Sequence, residues 1–362
     1  MDYNARQQRL RKRIVELKLD GLLVTHLPNI RYLCGFTGSA GVLAFSGSKT
    51  AFFTDGRYTE QARAEVRAAR TVIGKRPAFT EAVDWLLRAK VSSLGIEAEH
   101  LTVAMQQNLR TLIRKSSRAR VRVRATSLLV EKLRMEKEEP ELEQIRAAVL
   151  LASSIFPDIL KEIRVGVPER TLAAEIEYYC RRAGADGMSF DTLVSSGRRS
   201  ALPHGVASAE PVAKDGFVIL DYGVILGGYC SDMTRTVYVG RIDARSRSIY
   251  AAVLESQQAA VAAVKEGITV DEVDAAARKV LVHSKLAQYF THSTGHGLGL
   301  EIHELPRVAR GQPERLKRGM VITIEPGVYI PGFGGVRIED TVTVTAAGCE
   351  VLTPTSKELI TI

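Results

Sequence analysis

The sequence has few of the features that mark small cross-linked proteins or membrane proteins. Its 362 residues include four cysteines, Cys34, Cys180, Cys230 and Cys349, which lie far apart and form no Cys-x-x-Cys pair. This spacing argues against a disulfide framework and against a thiolate zinc site. No run of about 18 or more apolar residues occurs, so we expect no membrane span. The polar N-terminal residues lack the pattern of a secretory signal, and a cytoplasmic location is the expectation.

Basic residues are unevenly distributed along the chain. Residues 1–130 contain 23 Lys and Arg against 10 Asp and Glu, whereas residues 131–362 contain 27 against 31. Such an asymmetry can indicate nucleic-acid binding. The densest basic run, residues 110–124, is not interleaved with aromatic residues and contains no nucleic-acid motif. We therefore expect an exposed basic face, or an interface within an oligomer, and no nucleic-acid partner.

The order of apolar segments predicts an αβ protein of two domains. Helical spacing occurs at residues 5–19, near 59 and at 79–90, and strand-like runs occur at 22–24, 42–45 and 51–54. This alternation fills a first domain, residues 1–130. The charged segment that begins at Glu131 and contains Pro140 is interpreted as the passage into a second domain, residues 131–362.

The second domain contains a weak internal repeat. GVPERTLAAEIE at residues 166–177 is similar to GITVDEVDAAAR at residues 267–278. Further along each copy, a turn leads into an apolar strand that ends in an acid, Asp221 in the first and Glu325 in the second. Two related αβ halves that face each other would bring these strand ends together.

Two aspartates flank a turn in VILDYGVILGGYCSDMTRT, residues 218–236. An apolar strand ends at Asp221, a Gly-Gly pair supplies a turn, and Asp232 lies on the predicted return strand. A hairpin would bring both carboxylates together across the ladder. Because two like charges at short range cost energy, the pair indicates a bound cation. Two surface aspartates beside a turn are the alternative.

Three of the seven histidines, His292, His296 and His303, fall within THSTGHGLGLEIHE, residues 291–304. The glycines between them allow close approach of backbone to a ligand or neighbour. The segment lacks the His-Glu-x-x-His pattern of helical zinc peptidases. A single histidine is more often structural, but three among glycines favour a metal or substrate site.

Two glutamates belong to further apolar strands. Glu325 ends the strand in VITIEPGVYI, where burial of an unpaired carboxylate would be expensive. In GGVRIEDTVTVT, residues 334–345, strand alternation puts Arg337 and Glu339 on one face. An ordinary strand with a surface ion pair explains this last segment equally well when it is taken alone.

Together these residues form an oxygen-rich set of ligands with one nitrogen donor: Asp221, Asp232, His296, Glu325 and Glu339. Such a set suits Mn²⁺, Co²⁺, Fe²⁺ or Zn²⁺ better than a thiolate site would. Carboxylates can bridge a pair of ions about 3.5–4 Å apart, the spacing of hydrolytic two-metal centres. The residues therefore predict a hydrolase with two divalent metal ions, with Mn²⁺ as the first candidate.

The same segments resemble the pita-bread metallopeptidases, which include aminopeptidase P, prolidase and, more distantly, methionine aminopeptidase. The contexts LDYG, SDMTRT, TGHGLG, IEPG and RIED match in order. The resemblance implies a pita-bread catalytic domain with pseudo-two-fold αβ halves. It also implies that Asp221 binds one metal ion and that Asp232 and Glu339 bridge both. His296 and Glu325 would bind the other ion.

The resemblance assigns substrate-handling roles as well. Glu325 would accept the proton of the attacking water, and His303 would stabilise the tetrahedral intermediate. His204, in ALPHG, would line the site for the residue after the scissile bond, and His292 would lie near the substrate. Two further residues look like supports for the carboxylates and the substrate site, namely Arg337 and Tyr329. Ordinary packing is an equally good interpretation of Tyr329.

The first domain narrows the substrate class. NIRYLCGFTGSAG (29–41) and FTDGRYTEQA (53–62) resemble the creatinase-like domain of short bacterial Xaa-Pro peptidases, which methionine aminopeptidases lack. Creatinase itself uses no metal, and the intact ligand set argues against that activity. In the resembled peptidases this domain forms dimer contacts, so we expect a homodimer or a larger homo-oligomer. Proline-containing peptides are the expected substrates.

Three functional hypotheses stay open from the sequence. The favoured one is an Xaa-Pro aminopeptidase, which cleaves the N-terminal Xaa-Pro bond of longer peptides. The second is a prolidase restricted to Xaa-Pro dipeptides, in which Arg307 would bind the free carboxylate; an exposed loop position is the preferred interpretation of Arg307. The third is a non-catalytic binding protein on the same scaffold, although such proteins typically lose metal ligands.

Overall fold

The computed structural model describes residues 1–116 and 120–362. The basic run at residues 110–124 therefore falls in part, at 117–119, outside the described residues. The chain divides into two compact units, Met1–Arg134 and Met135–Ile362. Among the helices that the structure describes, none combines the length and the apolar character needed to cross a membrane.

The first unit is built on a mixed β-sheet. Its strands, within the described residues, are β1 (Gly21–Val24), β2 (Val42–Ser46), β3 (Lys49–Thr54), β4 (Arg70–Ile73), β5 (Ser93–Glu97) and β6 (Arg122–Thr126). Their order is β4-β3-β2-β1-β5-β6. β1 and β3 pair antiparallel with β2, and the remaining pairs are parallel. The predicted αβ alternation is therefore present in this unit.

The first unit also contains helices. They are α1 (Tyr3–Glu16), α2 (Leu27–Cys34), α3 (Thr59–Glu65), α4 (Ala78–Arg88), α5 (Val103–Lys115) and α6 (Glu131–Arg134), with a 3₁₀ turn at Gly56–Tyr58. α1 begins where the Asp2 side chain accepts a hydrogen bond from the Ala5 amide, an N-cap that satisfies one free helix donor. Its buried face includes Leu10 and Ile14, which belong to the segment 5–19 whose spacing predicted a helix.

The second unit contains several small sheets and the longer helices. Its strands are β7 (Gly187–Met188), β8 (Leu193–Ser196), β9 (Gly216–Tyr222), β10 (Val224–Leu226), β11 (Tyr229–Cys230), β12 (Met233–Val239), β13 (Gly295–Gly297), β14 (Glu304–Val308), β15 (Val321–Ile324), β16 (Gly327–Ile330), β17 (Gly334–Arg337), β18 (Asp340–Val344) and β19 (Cys349–Val351). The helices are α7 (Glu139–Ser154), α8 (Phe156–Glu162), α9 (Glu169–Arg182), α10 (Ala244–Ala263) and α11 (Val270–His283), with 3₁₀ turns at Gly197–Ala201 and Ala287–Tyr289. The sheet orders are β12-β9-β8, β11-β10-β7, β14-β13-β15-β18-β19 and β16-β17.

The two halves of this unit reproduce the repeat seen in the sequence. Gly166 and Gly267 precede α9 and α11, and both have positive φ, 90° and 86°. Their amides donate to the carbonyls of Val212 and Leu316 at 3.0 and 2.8 Å. Only glycine adopts this backbone conformation without strain, which explains why the repeat keeps it.

Candidate metal centre

Asp221 and Asp232 are brought together by antiparallel strands. β9 pairs with β12 in a register that places Asp221 opposite Thr234. Asp232 immediately precedes β12, and the short strands β10 and β11 form the turn region between the two aspartates. Both aspartates are almost fully buried, at 8% and 5% exposure. The structure therefore excludes the alternative of two surface aspartates beside a turn.

His296 reaches the same place from the other half of the unit. It lies in β13, between β14 and β15, opposite Arg307 of β14. A Cβ at Gly295 would lie 1.9 Å from the Thr323 carbonyl oxygen, and one at Gly297 would lie 2.2 Å from that of Leu305. Such contacts are impossible, so the glycines are required for the close strand packing that positions the imidazole.

The two glutamates occupy strand ends. Glu325 follows β15, and its amide donates to the Thr294 carbonyl at 2.7 Å. Glu339 lies in the two-residue break between β17 and β18, with its amide donating to the Thr234 carbonyl at 3.2 Å. The Thr234 hydroxyl donates to Glu339 Oε2 at 2.7 Å. Threonine contacts therefore join the Glu339 segment to the sheet that carries the aspartates.

These side chains converge on one buried cluster. Donor atoms of Asp232, His296 and Glu339 all lie within 4.8 Å of one another. His296 Nε2 is 3.5 Å from Asp232 Oδ2 and 3.5 Å from Glu325 Oε1. Asp221 lies near enough for its charge to act on Asp232 and Glu339, and it accepts a hydrogen bond from Arg337 Nη2.

Burial of several carboxylates together makes their ionisation difficult. Burial and the charge of Asp221 together raise the pKa of Asp232 to about 6, although the hydrogen bond to His296 opposes this shift. Burial likewise raises the pKa of Glu325 to about 7. The pKa of Glu339 lies well above its usual range because of burial and the negative charge of Asp232. The protein's own groups thus do not compensate the full negative charge of the cluster.

His296 shows the opposite tendency. Burial by itself would lower the pKa of its imidazole, but the hydrogen bond to Asp232 and the charge of Glu325 outweigh burial and raise the pKa to about 9. The Nδ1 atom donates to the Gly297 carbonyl at 3.0 Å, so Nε2 faces the carboxylates. This orientation is the one that a metal-binding imidazole requires.

The residues present fit a divalent cation. Glu339 Oε1 is buried and has no hydrogen-bond partner among the described residues. A buried carboxylate oxygen without a donor is costly. Four carboxylates and one imidazole provide the oxygen-rich donors that divalent transition metals and Mn²⁺ accept. A cation in the cluster would satisfy this oxygen and offset the like charges around it.

A chain of hydrogen bonds leads outward from Asp221. Arg337 donates to Asp221, to the Tyr329 hydroxyl at 2.7 Å and to the Pro203 carbonyl at 3.0 Å. The Tyr329 oxygen lies 2.9 Å from His292 Nε2, and His292 Nδ1 donates to the Ser293 carbonyl at 2.8 Å.

This chain defines the tautomer and the role of His292. Burial lowers the pKa of His292 to about 4, so the ring is neutral at pH 7 and its Nε2 accepts from Tyr329. Both ring nitrogens are therefore engaged by the protein. The Tyr329 hydroxyl accepts a hydrogen bond from Arg337 and donates one to His292. Ordinary packing therefore does not account for Tyr329.

Two further predicted histidines lie beside the cluster. The His303 ring is 4.5 Å from the His296 ring, centroid to centroid, in an edge-to-face arrangement. Burial, together with the charges of His296 and His204, lowers the pKa of His303. His204 follows Pro203, whose carbonyl binds Arg337, and its charge also lowers the pKa of His292. The structure thus brings all ten predicted site residues into one region of the second unit.

Comparisons with known proteins agree with this geometry. Residues 143–346 match the model for metallopeptidase family M24, and residues 6–136 match the model for the creatinase/prolidase N-terminal domain. The chain belongs to metallopeptidase family M24. It is an enzyme of that family with a creatinase-like N-terminal domain and a pita-bread catalytic domain, as the sequence predicted.

Three relatives illustrate the likeness. The chain is 37% identical to the Xaa-Pro dipeptidase of Pyrococcus horikoshii over 356 residues, 96% of this chain and 98% of that one. An Xaa-Pro dipeptidase structure from Bacillus anthracis is 40% identical, with a TM-score of 0.96 and full coverage of both chains. The X-Pro aminopeptidase structure from Thermotoga maritima is 31% identical, with a TM-score of 0.87 over 97% of this chain and 100% of that one.

Some supports of this M24 site escaped the sequence analysis. Thr234 binds Glu339, and Glu169 accepts hydrogen bonds from the Ser196 and Ser208 amides and from Arg199, next to the loop that carries His204. Lys137 forms a buried ion pair with Glu304, directly after His303, at 3.2 Å. The partners are separated by 27 to 167 residues, and local patterns contain no signal for such pairs.

Proposed function

We propose that this M24 metallopeptidase hydrolyses the Xaa-Pro bond at the N-terminus of short peptides, with Xaa-Pro dipeptides as its favoured substrates. The supporting observation is the buried cluster of carboxylates around His296, with Arg307 directly opposite His296 in the neighbouring strand. The preference for dipeptides differs from the preference for an aminopeptidase that the sequence alone favoured.

Five residues would hold two divalent cations: Asp221, Asp232, His296, Glu325 and Glu339. We keep Mn²⁺ as the first candidate, with Co²⁺, Zn²⁺ and Fe²⁺ as alternatives. When bound, the cations supply a Lewis acid for the scissile carbonyl and lower the pKa of the attacking water. The buried Glu339 oxygen without a donor supports this assignment.

Glu325 is the proposed proton acceptor. Its carboxylate lies at the edge of the cluster, is 17% exposed and is contacted by the Thr323 hydroxyl at 3.3 Å. It would take a proton from the attacking water and later return one to the leaving nitrogen. Without metal, burial raises the pKa of Glu325 to about 7, and a bound cation would lower this pKa because it favours the charged carboxylate.

His303 and His204 would contact the substrate. With its pKa lowered, His303 is neutral at pH 7 and can donate one N–H to the oxygen on which negative charge develops. His204 lies on a partly exposed loop anchored by the Pro203 contact with Arg337, and we assign it to the residue after the scissile bond. His292, Tyr329 and Arg337 act together, and their contacts orient Asp221.

Arg307 is the proposed determinant of dipeptide preference. Directly opposite residues of an antiparallel pair project from the same face, so the Arg307 side chain emerges beside His296. It is exposed and lies in β14 rather than in a loop, contrary to the preferred interpretation of the sequence. A guanidinium can bind the terminal carboxylate of an Xaa-Pro dipeptide through two parallel hydrogen bonds. Relatives named Xaa-Pro dipeptidase support this choice.

The second candidate is an Xaa-Pro aminopeptidase, which the similarity to the Thermotoga maritima enzyme favours. Measurement of kcat/KM for Xaa-Pro and Xaa-Pro-Xaa substrates with Mn²⁺ separates the two. We expect higher kcat/KM for dipeptides. Arg307→Met should raise the dipeptide KM by about tenfold or more, as loss of one charge-assisted contact implies. It should leave tripeptide cleavage unchanged.

Arg310→Met is the matched control, because Arg310 is an exposed arginine that follows β14. It should behave as the wild type on both substrates. A higher kcat/KM for tripeptides would replace the dipeptidase proposal by the aminopeptidase. An Arg307→Met enzyme with normal dipeptide KM would overturn the role proposed for Arg307. Homo-oligomerisation, inferred from the creatinase-like domain, is part of the proposal and is tested by sedimentation velocity.

A further inference from the structure

Glu339 lies where regular strand pairing is interrupted. β17 pairs with β16, whereas β18 pairs with β15, so the chain changes sheets at Ile338 and Glu339. The Glu339 carbonyl accepts a hydrogen bond from Arg235 Nη1 instead of from a strand neighbour. A side chain therefore replaces a ladder hydrogen bond at the residue whose carboxylate oxygen Oε1 has no partner among the described residues.

Arg235 uses all of its donors at this junction. Nη1 donates to the carbonyls of Glu339 and, at 2.9 Å, of Thr234. Nη2 donates to Asp340 Oδ1 at 2.8 Å and to the Thr355 carbonyl at 2.6 Å, and Nε donates to the Ser356 carbonyl at 3.0 Å. A guanidinium has five N–H groups, and five acceptors surround this one.

Asp340 is the counter-ion of Arg235 and follows Glu339 directly. Its side chain is fully buried, and that of Arg235 is 2% exposed. Asp340 Oδ2 accepts from Gln257 Nε2 at 2.9 Å and from Lys357 Nζ. The carboxylate thereby connects α10, the Glu339 segment and residues 355–357.

We propose that Arg235, Asp340 and Lys357 are positioning residues for the metal centre, which act by fixing the backbone of Glu339. The inference rests on the proposed function, in which Glu339 would be one of the residues that hold the metal ions. Arg235 binds the backbone of Glu339, and among the described residues none of the three forms a hydrogen bond with a side chain of the cluster. They therefore determine where the Glu339 carboxylate lies rather than bind a cation. Removal of a residue that holds a metal ligand in place typically weakens metal binding by about 10–100-fold.

A purely structural role predicts a different outcome. Buried ion pairs contribute little net stability compared with apolar side chains, but removal of one partner destabilises the fold. That loss would lower the melting temperature without a selective loss of metal affinity in the protein that stays folded. Metal affinity measured on folded protein therefore separates positioning from stability.

The experiment compares Asp340→Asn and Lys357→Met with the wild type. Calorimetric titration of the metal-stripped protein gives the Kd for Mn²⁺, Co²⁺ absorption reports ligand geometry, and circular dichroism checks the fold. Asp340→Asn should weaken Mn²⁺ binding by about 10–100-fold and change the Co²⁺ spectrum. Lys357→Met should weaken binding by a smaller factor because Lys357 is 24% exposed, and Lys357→Arg should restore it.

Lys161→Met is the matched control. Lys161 also pairs with an aspartate, Asp158, at 2.6 Å, but on an exposed face of α8. It should bind Mn²⁺ with wild-type affinity. If Asp340→Asn does not fold, the Mn²⁺ affinity of Lys357→Met decides between a positioning role and a purely structural role, because Lys357 is only partly buried.

The experiment distinguishes failure of the proposed function from failure of the positioning role. A wild-type protein that binds no Mn²⁺, Co²⁺ or Zn²⁺ would overturn the proposed function. A wild-type protein that binds metal, with folded Asp340→Asn or Lys357→Met variants of unchanged affinity and Co²⁺ spectrum, would overturn the positioning role alone.

Discussion

The two faces of the segment Arg337–Asp340 differ in how completely their polar groups are satisfied. We use front face for the side of the segment that carries Arg337 and Glu339, together with the carboxylate cluster that this side faces, which includes Asp232 and Glu325. The rear face carries Ile338 and Asp340. On the front, Glu339 Oε1 lacks a partner among the described residues and the pKa of Glu339 is strongly raised. On the rear, both oxygens of Asp340 accept hydrogen bonds. The front face can therefore accept a bound cation. On the rear face, the contacts of Asp340 hold the backbone of the segment in place.

The comparison predicts that front and rear substitutions change stability in opposite directions. Glu325→Gln, a front substitution, should lower turnover by at least about 10²–10⁴-fold, the contribution of a general base. It should also raise the melting temperature of the metal-stripped protein, because it removes a carboxylate whose ionisation burial opposes. A gain of about 1 kcal/mol corresponds to roughly 2–4 °C in a domain of this size.

Steady-state kinetics and thermal denaturation check both effects. Glu350→Gln is the matched control, since Glu350 is exposed and pairs with Arg146 at 2.9 Å. It should alter neither turnover nor stability. A Glu325→Gln protein that is inactive and clearly less stable without metal would contradict the description of the front face.

A substitution of His303 tests whether a residue on the front face can act in catalysis without binding metal, because His303 lies beside the cluster and is not one of the proposed ligands. His303→Ala should lower kcat by about 10–10³-fold, as expected for loss of one group that stabilises the oxyanion. KM and the Mn²⁺ Kd should change little. Kinetics and calorimetric titration on the same preparation test this, and an Mn²⁺ Kd raised in step with the loss of kcat would assign His303 to metal binding instead.

The pH dependence of stability should give the smallest effect. Asp232 and Glu325 have folded pKa values of about 6 and about 7, above the unfolded values of about 3.9 and 4.3. These two groups therefore contribute fully to the stability of the metal-stripped protein below about pH 4. The contribution is lost as the pH rises through 6 to 7. His296, with a folded pKa of about 9, changes in the same direction.

Metal binding should reverse this trend, because the ligands bind cations only when deprotonated. Thermal denaturation from pH 5 to 9, with and without Mn²⁺, measures both curves. We expect the stripped protein to lose stability toward pH 9 and the benefit from Mn²⁺ to grow over the same range. Parallel curves would show that the raised pKa values do not describe the front face.

The sequence predicted the parts of this site that local patterns encode. Asp221 and Glu325 were found because apolar strands end at them, and His296 because glycines flank it. The alternation in residues 334–345 correctly placed Arg337 and Glu339 on one side, but it indicated one continuous strand. The structure divides this strand between two sheets at Glu339, and alternation alone cannot reveal a change of partner strand.

Other features depend on contacts between distant residues. Arg235 and Asp340 are 105 residues apart, and Lys137 and Glu304 are 167 residues apart. In the sequence, each member of such a buried ion pair is a single charged residue. It cannot be distinguished there from a charged residue that is exposed to solvent. Arg307 is exposed, as the preferred interpretation expected, but it lies in β14 rather than in a loop. That strand is defined by its pairing with the distant strand β13, which local patterns do not show.

The threonine contacts beside Glu339 have a consequence for the rate of metal exchange. Thr234 joins Glu339 to β12, and the Thr341 hydroxyl donates to the Asp232 carbonyl at 3.0 Å. We call these two hydroxyl contacts the threonine seam, and we expect the seam to open locally while both sheets stay intact. We expect loss of Mn²⁺ to a chelator to proceed at the rate at which the Glu339 amide exchanges hydrogen with solvent. Loss at the rate of global unfolding would show that the seam opens only when the whole unit does.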